Sequence, residues 1–298
     1  MNDSCVVCGS SDLQEVVLNG LPLLRCSGCG LLWQAEPSLG KSYYEELDAG
    51  DTPEKREARF RNSRDRIRLF TRFVPRAGWC DVGTGEGIFL EALAAARGQG
   101  VGIEPSEGSR EKAATHGVRI VGDTIADLGR VVQEAPATRV VSLFHVIEHL
   151  KDPDVEIRRI YDVLPPGGFL VIETPDIDSP VFKLRKYKDP LIYPEHLWYF
   201  SDKTLRVLLE RTGFRVVASG VRDFDQYHLP IRESLFRLGL LSAKQTEDGS
   251  AGEGMPGGPK AIPSAVRDGL VRRAIRFILS RIVIMTGRLQ YVWVVAQK

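Results

Sequence analysis

The sequence predicts an α/β fold built on a doubly wound, seven-stranded sheet, and three observations carry that expectation. Short apolar runs alternate with helix-like stretches from residue 77 to residue 173, the pattern of parallel strands joined by covering helices. The first run ends in Asp81-Val-Gly83-Thr-Gly85-Glu-Gly87 and opens directly into an alanine-rich stretch, a strand-turn-helix in which backbone N–H groups can meet an anionic ligand. The second run ends in Val-Gly-Ile-Glu104, seventeen residues beyond Gly87, where a carboxylate can accept from ribose hydroxyls.

The elements follow in order. Residues 77–82, 99–104, 118–121, 138–144 and 168–173 read as strands, with helices at 87–97, 106–116 and 153–163. Leu164-Pro-Pro-Gly-Gly168 separates the last of these helices from its strand. Ser201 caps a helix through Arg211, Gly213 ends it, and strand 214–221 follows. Tyr291-Val-Trp-Val-Val-Ala296 supplies the seventh strand. The body therefore spans 77–298, with 222–288 as an insertion. Its middle, 244–264, is rich in Gly and Pro and predicts a mobile loop. Residues 266–287 read as an amphipathic helix, with Val271, Ile275, Ile278, Leu279 and Ile282 on one stripe and Arg272, Arg273, Arg276 and Arg281 opposite. A lid over the substrate side is the expectation, and a membrane-surface or RNA-binding helix the alternative. Arg276 and Arg281 break the apolar run, so it is too short to span a membrane.

Ahead of the body, residues 41–76 form a connector carrying Tyr43 and Tyr44, then an arginine-rich helix over 54–73. Phe60, Ile67, Phe70 and Val74 fall on one helical stripe that would face the body, leaving the arginines to solvent. Residues 1–40 hold four of the five cysteines, as Cys5-x-x-Cys8 and Cys26-x-x-Cys29 with seventeen residues between the pairs. That spacing fits a zinc ribbon, and Gly9 and Gly30 sit where each knuckle turn favours positive φ. Four thiolates close the coordination sphere, so the metal would be structural. Cys80, inside the first body strand, reads as a small core residue.

Composition narrows the partners. With 43% hydrophobic and 27% charged residues the chain is ordinary for a globular protein, and its net charge of +1 provides no global attraction for nucleic acid. Polar residues and a cysteine pair follow Met1 in place of a signal sequence, which predicts a cytoplasmic protein. Oligomeric state is not legible.

The turn D-x-G-x-G-x-G brings its third glycine one residue earlier than the dinucleotide fingerprint, and in this it resembles motif I of the class I S-adenosylmethionine (SAM)-dependent methyltransferases, whose fold is Rossmann-like. The resemblance implies that Gly83, Gly85 and Gly87 admit the aminoacyl end of SAM, that Asp81 joins the network around its amino group, and that Glu104 binds the ribose. It also implies that Asp123 lies near the adenine amine, and that Phe144 and His145 face the methyl donor.

Two clusters remain. His145-Val-Ile-Glu148-His149 matches an H-x-x-E-H metalloprotease pattern, but it follows a strand where that pattern needs a helix, and it resembles instead a loop of small-molecule methyltransferases. Tyr193-Pro-Glu195-His196 follows the fifth strand. With the cysteine ribbon and the tyrosine connector it resembles the deoxysugar C-methyltransferases. Their active-site residue types are matched by Tyr43 or Tyr44, Tyr193, Glu195 and His196. Those enzymes carry a further C-terminal domain that has no counterpart after the last strand here. The resulting expectation is SAM-dependent methyl transfer to oxygen or carbon of a small molecule, such as a sugar or secondary metabolite. His196 is the first candidate for the general base, oriented by Glu195, and His145 the second. Glu195 and His196 could equally brace the following helix. An Asn/Asp-Pro-Pro-Tyr element is missing after the fourth strand, which disfavours amine methylation. The rivals are a ribosomal RNA methyltransferase tracking phosphates with the arginines from Arg56 to Arg76, and a non-catalytic SAM-fold scaffold.

Overall fold

The computed structural model describes residues 3–35, 52–135, 137–179, 182, 191–222 and 290–298. Tyr43, Tyr44, the 244–264 loop and the 266–287 helix lie outside the described residues. The chain divides into one compact unit of Met1–Asp225 with Leu289–Lys298 and another of Gln226–Arg288, and only the first contains described residues.

Seven strands form the main sheet: β4 (Trp79–Val82), β5 (Gly100–Ile103), β6 (Ile120–Gly122), β7 (Val140–Phe144), β8 (Phe169–Pro175), β10 (Arg215–Arg222) and β11 (Tyr291–Gln297). Their spatial order is β10-β11-β8-β7-β4-β5-β6. The five from β4 to β8 pair parallel, whereas β11 runs antiparallel to both β8 and β10. Alternating strands and helices therefore describe five strands and fail for the last one. Its residues from Val292 to Ala296 are an apolar run buried on both faces, and such a run carries no mark of direction.

Helices α1 (Pro53–Phe70), α2 (Ile88–Ala95), α3 (Glu107–Thr115), α4 (Leu128–Glu134), α5 (Pro153–Val163) and α6 (Asp202–Arg211) complete the body. The α1 stripe forms as expected: Ile67, Phe70 and Val74 are buried, with Phe60 packed at their edge. Helix α4 was not expected between the third and fourth body strands. It has seven residues, and its signal was the preceding capping box, in which Thr124 and Asp127 satisfy each other's backbone N–H groups. Ser201 begins α6 with its own capping box to Thr204.

The N-terminal region folds as β1 (Leu13–Leu18), β2 (Leu21–Cys26) and β3 (Leu32–Gln34). Asn19 and Gly20, both at positive φ, close the β1–β2 hairpin, the turn that matches right-handed strand twist. Strand β3 then pairs with β9, the two residues Trp198–Tyr199. This small sheet is continuous with the body core: Val7, Leu31 and Trp33 bury against the cluster that contains Trp198, Phe200, Leu205 and Leu209.

Candidate functional site

The glycine turn lies at the carboxyl end of β4, and each glycine there has its own reason. All three take positive φ, +68° at Gly83, +57° at Gly85 and +78° at Gly87. A Cβ on Gly83 would come within 2.6 Å of Val146 Cγ2, and one on Gly87 within 2.7 Å of Val118 Cγ2, so these two are also fixed by packing. Beside Gly85 the nearest atom is Arg59 Nη2 at 3.8 Å. The middle of the turn thus keeps open space for a ligand at the amino end of α2, where unbonded N–H groups favour an anionic group.

Three carboxylates flank the turn. Glu104 is 5% exposed, and its oxygens accept from Gly85 N at 2.7 Å and Ser106 N at 2.9 Å. Its link to the glycine turn is therefore direct. Asp81 lies beneath the turn and accepts from Ser142 Oγ at 2.6 Å. Burial pushes its pKa up to about 6 despite the hydroxyl contacts. Asp123 follows β6 with its side chain largely exposed, 3.5 Å from Arg110.

At the ends of β7 and β8 the chain gathers buried charge. Phe144 is drawn into the core, its ring stacked on Phe70 and edge-on to Phe89. Its backbone lies next to the glycine turn, because Leu143 pairs with Val82. His145 takes φ +59°, a strained conformation for a side-chain-bearing residue. Its Nδ1 lies 3.5 Å from Glu148 and its Nε2 3.3 Å from Glu173. Burial alone would lower the His145 pKa, but the two carboxylates raise it, and the imidazolium is favoured.

Glu173, fully buried on β8, was not singled out in the sequence. Arg66 Nε and Nη2 donate to its Oε1 at 3.0 and 2.6 Å, and Arg222 approaches its other oxygen at 3.4 Å. Against the cost of burial, Arg66 leads these partners in holding its pKa far below the carboxylate range. Arg66 also lies 4.7 Å over the Phe144 ring. The expectation that the α1 arginines form a solvated face is thus corrected: Arg66 turns inward because Glu173 needs a counter-charge, and Arg56 is paired with Glu91. A glutamate amid strand residues carries no local sign of its partners.

Loop 191–200 brings a second group of side chains to this edge. His196 is 3% exposed, and its Nδ1 meets Leu191 O at 2.7 Å. Since a carbonyl only accepts, Nδ1 carries the proton and Nε2 the lone pair. Burial lowers the His196 pKa to about 4, with His149 adding to the effect and Glu148 opposing it. The Tyr193 ring lies 4.1 Å from the His196 ring. Glu195 does not orient His196, contrary to expectation: Leu191 holds the ring and Glu148 is the carboxylate facing it, because Glu148 is anchored beneath by Thr174 Oγ1 at 2.9 Å. Glu195 contributes its backbone carbonyl, which accepts from His149 Nδ1 at 2.8 Å. Glu148 is held down to about 2 against burial by His145, His149 and His196.

Among the described residues, two groups have donor sets able to hold a metal. Glu148, His149 and His196 bring one ligand atom each within 4.8 Å of one another. The sulfurs of Cys5, Cys8, Cys26 and Cys29 are gathered equally closely, with Cys5 and Cys29 3.6 Å apart and Cys8 and Cys26 3.4 Å apart. The two knuckles repeat one backbone pattern. Gly9 N donates to Cys5 O and Cys5 N to Ser10 O, just as Gly30 N donates to Cys26 O and Cys26 N to Leu31 O. Gly9 and Gly30 have φ of +77° and +89°, as the knuckle turns required. Cys80 is fully buried, as a core residue.

Comparison with known proteins agrees with this geometry. A methyltransferase domain family model matches residues 54–219. Ubiquinone biosynthesis O-methyltransferases of Leptothrix cholodnii and Marinobacter nauticus are 31% and 32% identical to this chain over 100 residues. Those matches cover 32% of this chain and 42% of each relative, so the chain matches about two-fifths of their length. Among solved structures, a SAM-dependent methyltransferase from Archaeoglobus fulgidus aligns with TM-score 0.50 and 18% identity, over 86% of this chain and 99% of its own. The plantazolicin methyltransferase, in complex with a triazolic desmethylPZN analog and SAH, aligns with TM-score 0.50 and 13% identity, over 87% and 90%. With a glycine turn linked to the carboxylate of the second body strand, a seven-stranded sheet whose last strand is reversed, and a family match over more than half its length, this chain belongs to the methyltransferase domain family and has the fold of the SAM-dependent methyltransferases.

Proposed function

We propose that this enzyme methylates a hydroxyl oxygen of a small molecule, with His196 taking the acceptor proton and a zinc ion holding the N-terminal ribbon. The observation that carries the reading is the buried His196 ring, fixed by Nδ1 on Leu191 O and lying within 4.8 Å of Glu148, which follows the strand paired with β4 and its glycine turn. Oxygen is favoured over carbon because the curated relatives are O-methyltransferases. A sugar or other secondary metabolite remains the acceptor class.

SAM, when bound, supplies an electrophilic methyl group on a positively charged sulfur. The residues toward it are Gly83, Gly85 and Gly87 at its aminoacyl end, Asp81 near its amino group, Glu104 at the ribose and Asp123 toward the adenine. The open space at Gly85 and the buried Glu104 carboxylate bonded to Gly85 N fit that ligand. Cys5, Cys8, Cys26 and Cys29 would hold the zinc, and the sulfur separations of 3.6 and 3.4 Å are close to the edge of about 3.8 Å implied by a ZnS4 tetrahedron.

On the acceptor side, His196 presents Nε2 as the lone pair, since Nδ1–H is committed to Leu191 O. With SAM bound, the acceptor proton would pass to Nε2 as the O–H bond breaks, the oxygen's electron pair would form the bond to the methyl carbon, and the broken carbon–sulfur bond would leave its pair on sulfur as a neutral thioether. Glu148 stabilises the imidazolium that results. Burial keeps the resting imidazole neutral through the physiological range. His145, favoured as a cation between Glu148 and Glu173, is a poorer base and fits better as a fixed positive charge. Tyr193 covers the His196 ring and is placed to line the acceptor.

The test is His196→Ala. Turnover should fall by about 10²–10⁴-fold while SAM affinity measured by calorimetry stays within twofold. Retained turnover would remove the assignment. An RNA acceptor is less well supported, because Arg66 and Arg56 of α1 are engaged with Glu173 and Glu91 rather than presented outward.

A further inference from the structure

The N-terminal ribbon forms part of the sheet that carries the His196 loop. Strand β3 pairs antiparallel with that loop, with Leu32 opposite Tyr199, Trp33 opposite Trp198, and Gln34 N donating to Leu197 O at 2.9 Å. Trp33 and Trp198 stack with centroids 6.0 Å apart. Gln34 is 8% exposed, and its side-chain amide donates to Pro194 O at 2.7 Å and to His196 O at 2.8 Å. These are the carbonyls on either side of Glu195. At the other end of the loop, Asn19 Nδ2 in the β1–β2 turn donates to Ile192 O at 2.9 Å, one residue beyond the carbonyl that fixes the His196 tautomer.

We infer that Gln34 is a positioning residue: its amide, with Asn19 as a second clamp, holds loop 191–200 closed so that His196 stays buried with Nδ1 on Leu191 O. Both amide hydrogens of Gln34 go to backbone carbonyls of one short segment. A glutamine satisfied twice in this way fixes the spacing of those carbonyls, because a buried carbonyl left without a donor costs free energy. The body grips the same loop from below, through Leu197 N to Glu148 O at 2.8 Å and Trp198 Nε1 to Leu150 O at 2.7 Å. The ribbon closes it from above. This role rests on the reading of His196 as the proton acceptor only for its effect on turnover; its effect on the His196 ring does not depend on that reading.

Among the described residues, the groups facing His196 are Glu148 and His149 of the turn after β7, His145 at the end of β7, Tyr193 on its own loop, and Tyr199 on β9. None of these described groups comes from the ribbon, which reaches the His196 backbone through the uncharged Gln34 amide. Loosening the ribbon contact should therefore change the burial of His196 before it changes its charged neighbours. Burial is what depresses the pKa, so an opened loop should let it rise toward the ordinary histidine value of about 6.5.

The experiment uses the full chain and two variants. Gln34→Met keeps the volume and removes both hydrogen bonds. Asn19→Gly removes the second clamp at a position whose positive φ already suits glycine. The His196 ring is titrated by nitrogen-edited NMR in wild type and both variants, with His196→Ala to assign its signals. The expected result is a His196 pKa raised by at least about one unit in Gln34→Met and by less in Asn19→Gly. Alongside it, kcat should fall about tenfold, the acid limb of the rate profile should move upward, and SAM affinity should change by less than twofold. An unchanged His196 titration in both variants overturns the inference even if turnover falls. A shifted titration with unchanged kcat upholds the positioning and instead removes His196 from the chemistry. A Gln34→Met that fails to fold leaves Asn19→Gly to decide on the same criterion.

Discussion

The proposed donor side and the proposed acceptor side of this protein are built on opposite principles. The donor side is local in sequence: Asp81 to Gly87 and Glu104 lie within one strand-helix-strand unit, and the contact that joins them, Gly85 N to Glu104, spans nineteen residues. The acceptor side is assembled from remote pieces. Glu173 meets Arg66 across 107 residues, His196 O meets Gln34 across 162, and Asn19 meets Ile192 O across 173. Local constraints fix the proposed donor cradle wherever this strand-turn-helix folds. The proposed acceptor centre exists only when the ribbon, α1, β8 and loop 191–200 have all docked, so the two sides should respond differently to the same perturbation.

The largest expected effect would come from removing the metal proposed for the ribbon. Structural zinc in small thiolate sites contributes on the order of 10 kcal/mol to local folding. Chelation should therefore abolish turnover while leaving SAM binding, measured by calorimetry, largely intact. A parallel loss of SAM affinity would break the comparison. Metal analysis should find close to one zinc per chain bound through thiolates, lost in Cys26→Ser.

Next in size is Glu173→Ala. It strands Arg66 and Arg222, whose side chains are only 13% and 12% exposed, and removing one partner of a buried pair costs about 3–5 kcal/mol. Chemical denaturation measures that loss directly. Glu173→Gln, which keeps the shape but not the charge, should recover only a small part of it.

Asp81 gives an effect of opposite sign on stability and binding. Its folded pKa of about 6 exceeds its ordinary value of 3.8 because of burial, so the ligand-free fold holds a proton that the unfolded chain releases. Stability should therefore rise as pH falls from 6 toward 4, and the cost of the buried charge is fully present above pH 6. SAM affinity should move the other way, weakening below about pH 6 as the proposed partner of its amino group is neutralised. Asp81→Asn should stabilise the ligand-free protein by roughly 1–3 kcal/mol at neutral pH and weaken SAM binding at least tenfold. A variant that lost stability instead would show that the carboxylate is structural.

The smallest stability effect belongs to Gly85→Ala. Space beside it is open, so only the left-handed backbone cost of about 1 kcal/mol applies, yet a methyl there intrudes on the proposed donor. Gly87→Ala should be worse for stability, because its Cβ would meet Val118 at 2.7 Å. Thermal melts and SAM titration of the pair separate ligand space from packing space within one turn.

Much of the donor side was legible in the sequence because its determinants are short-range. The glycine turn, Glu104, the α1 stripe and the paired knuckles announce themselves through spacing, and spacing within one element survives whatever the rest of the chain does. Reading failed where the partner is distant. Arg66 looks like any solvated helix arginine until Glu173 faces it, and β9, only two residues long, exists because β3 lies beside it. Glu195, adjacent to His196 in sequence, gives way to Glu148, which arrives from the turn after β7.

Fold class, the glycine turn and the close set of four thiols follow from backbone conformation and residue type over a few tens of residues, and were therefore readable along the chain. The direction of β11, the inward turn of Arg66, the tautomer of His196 and the joining of the ribbon to the loop that carries it depend on long-range contacts. Each of these is set by burial and by hydrogen bonds to remote groups, and a buried charge or an unpaired carbonyl takes whichever partner the completed fold brings within reach.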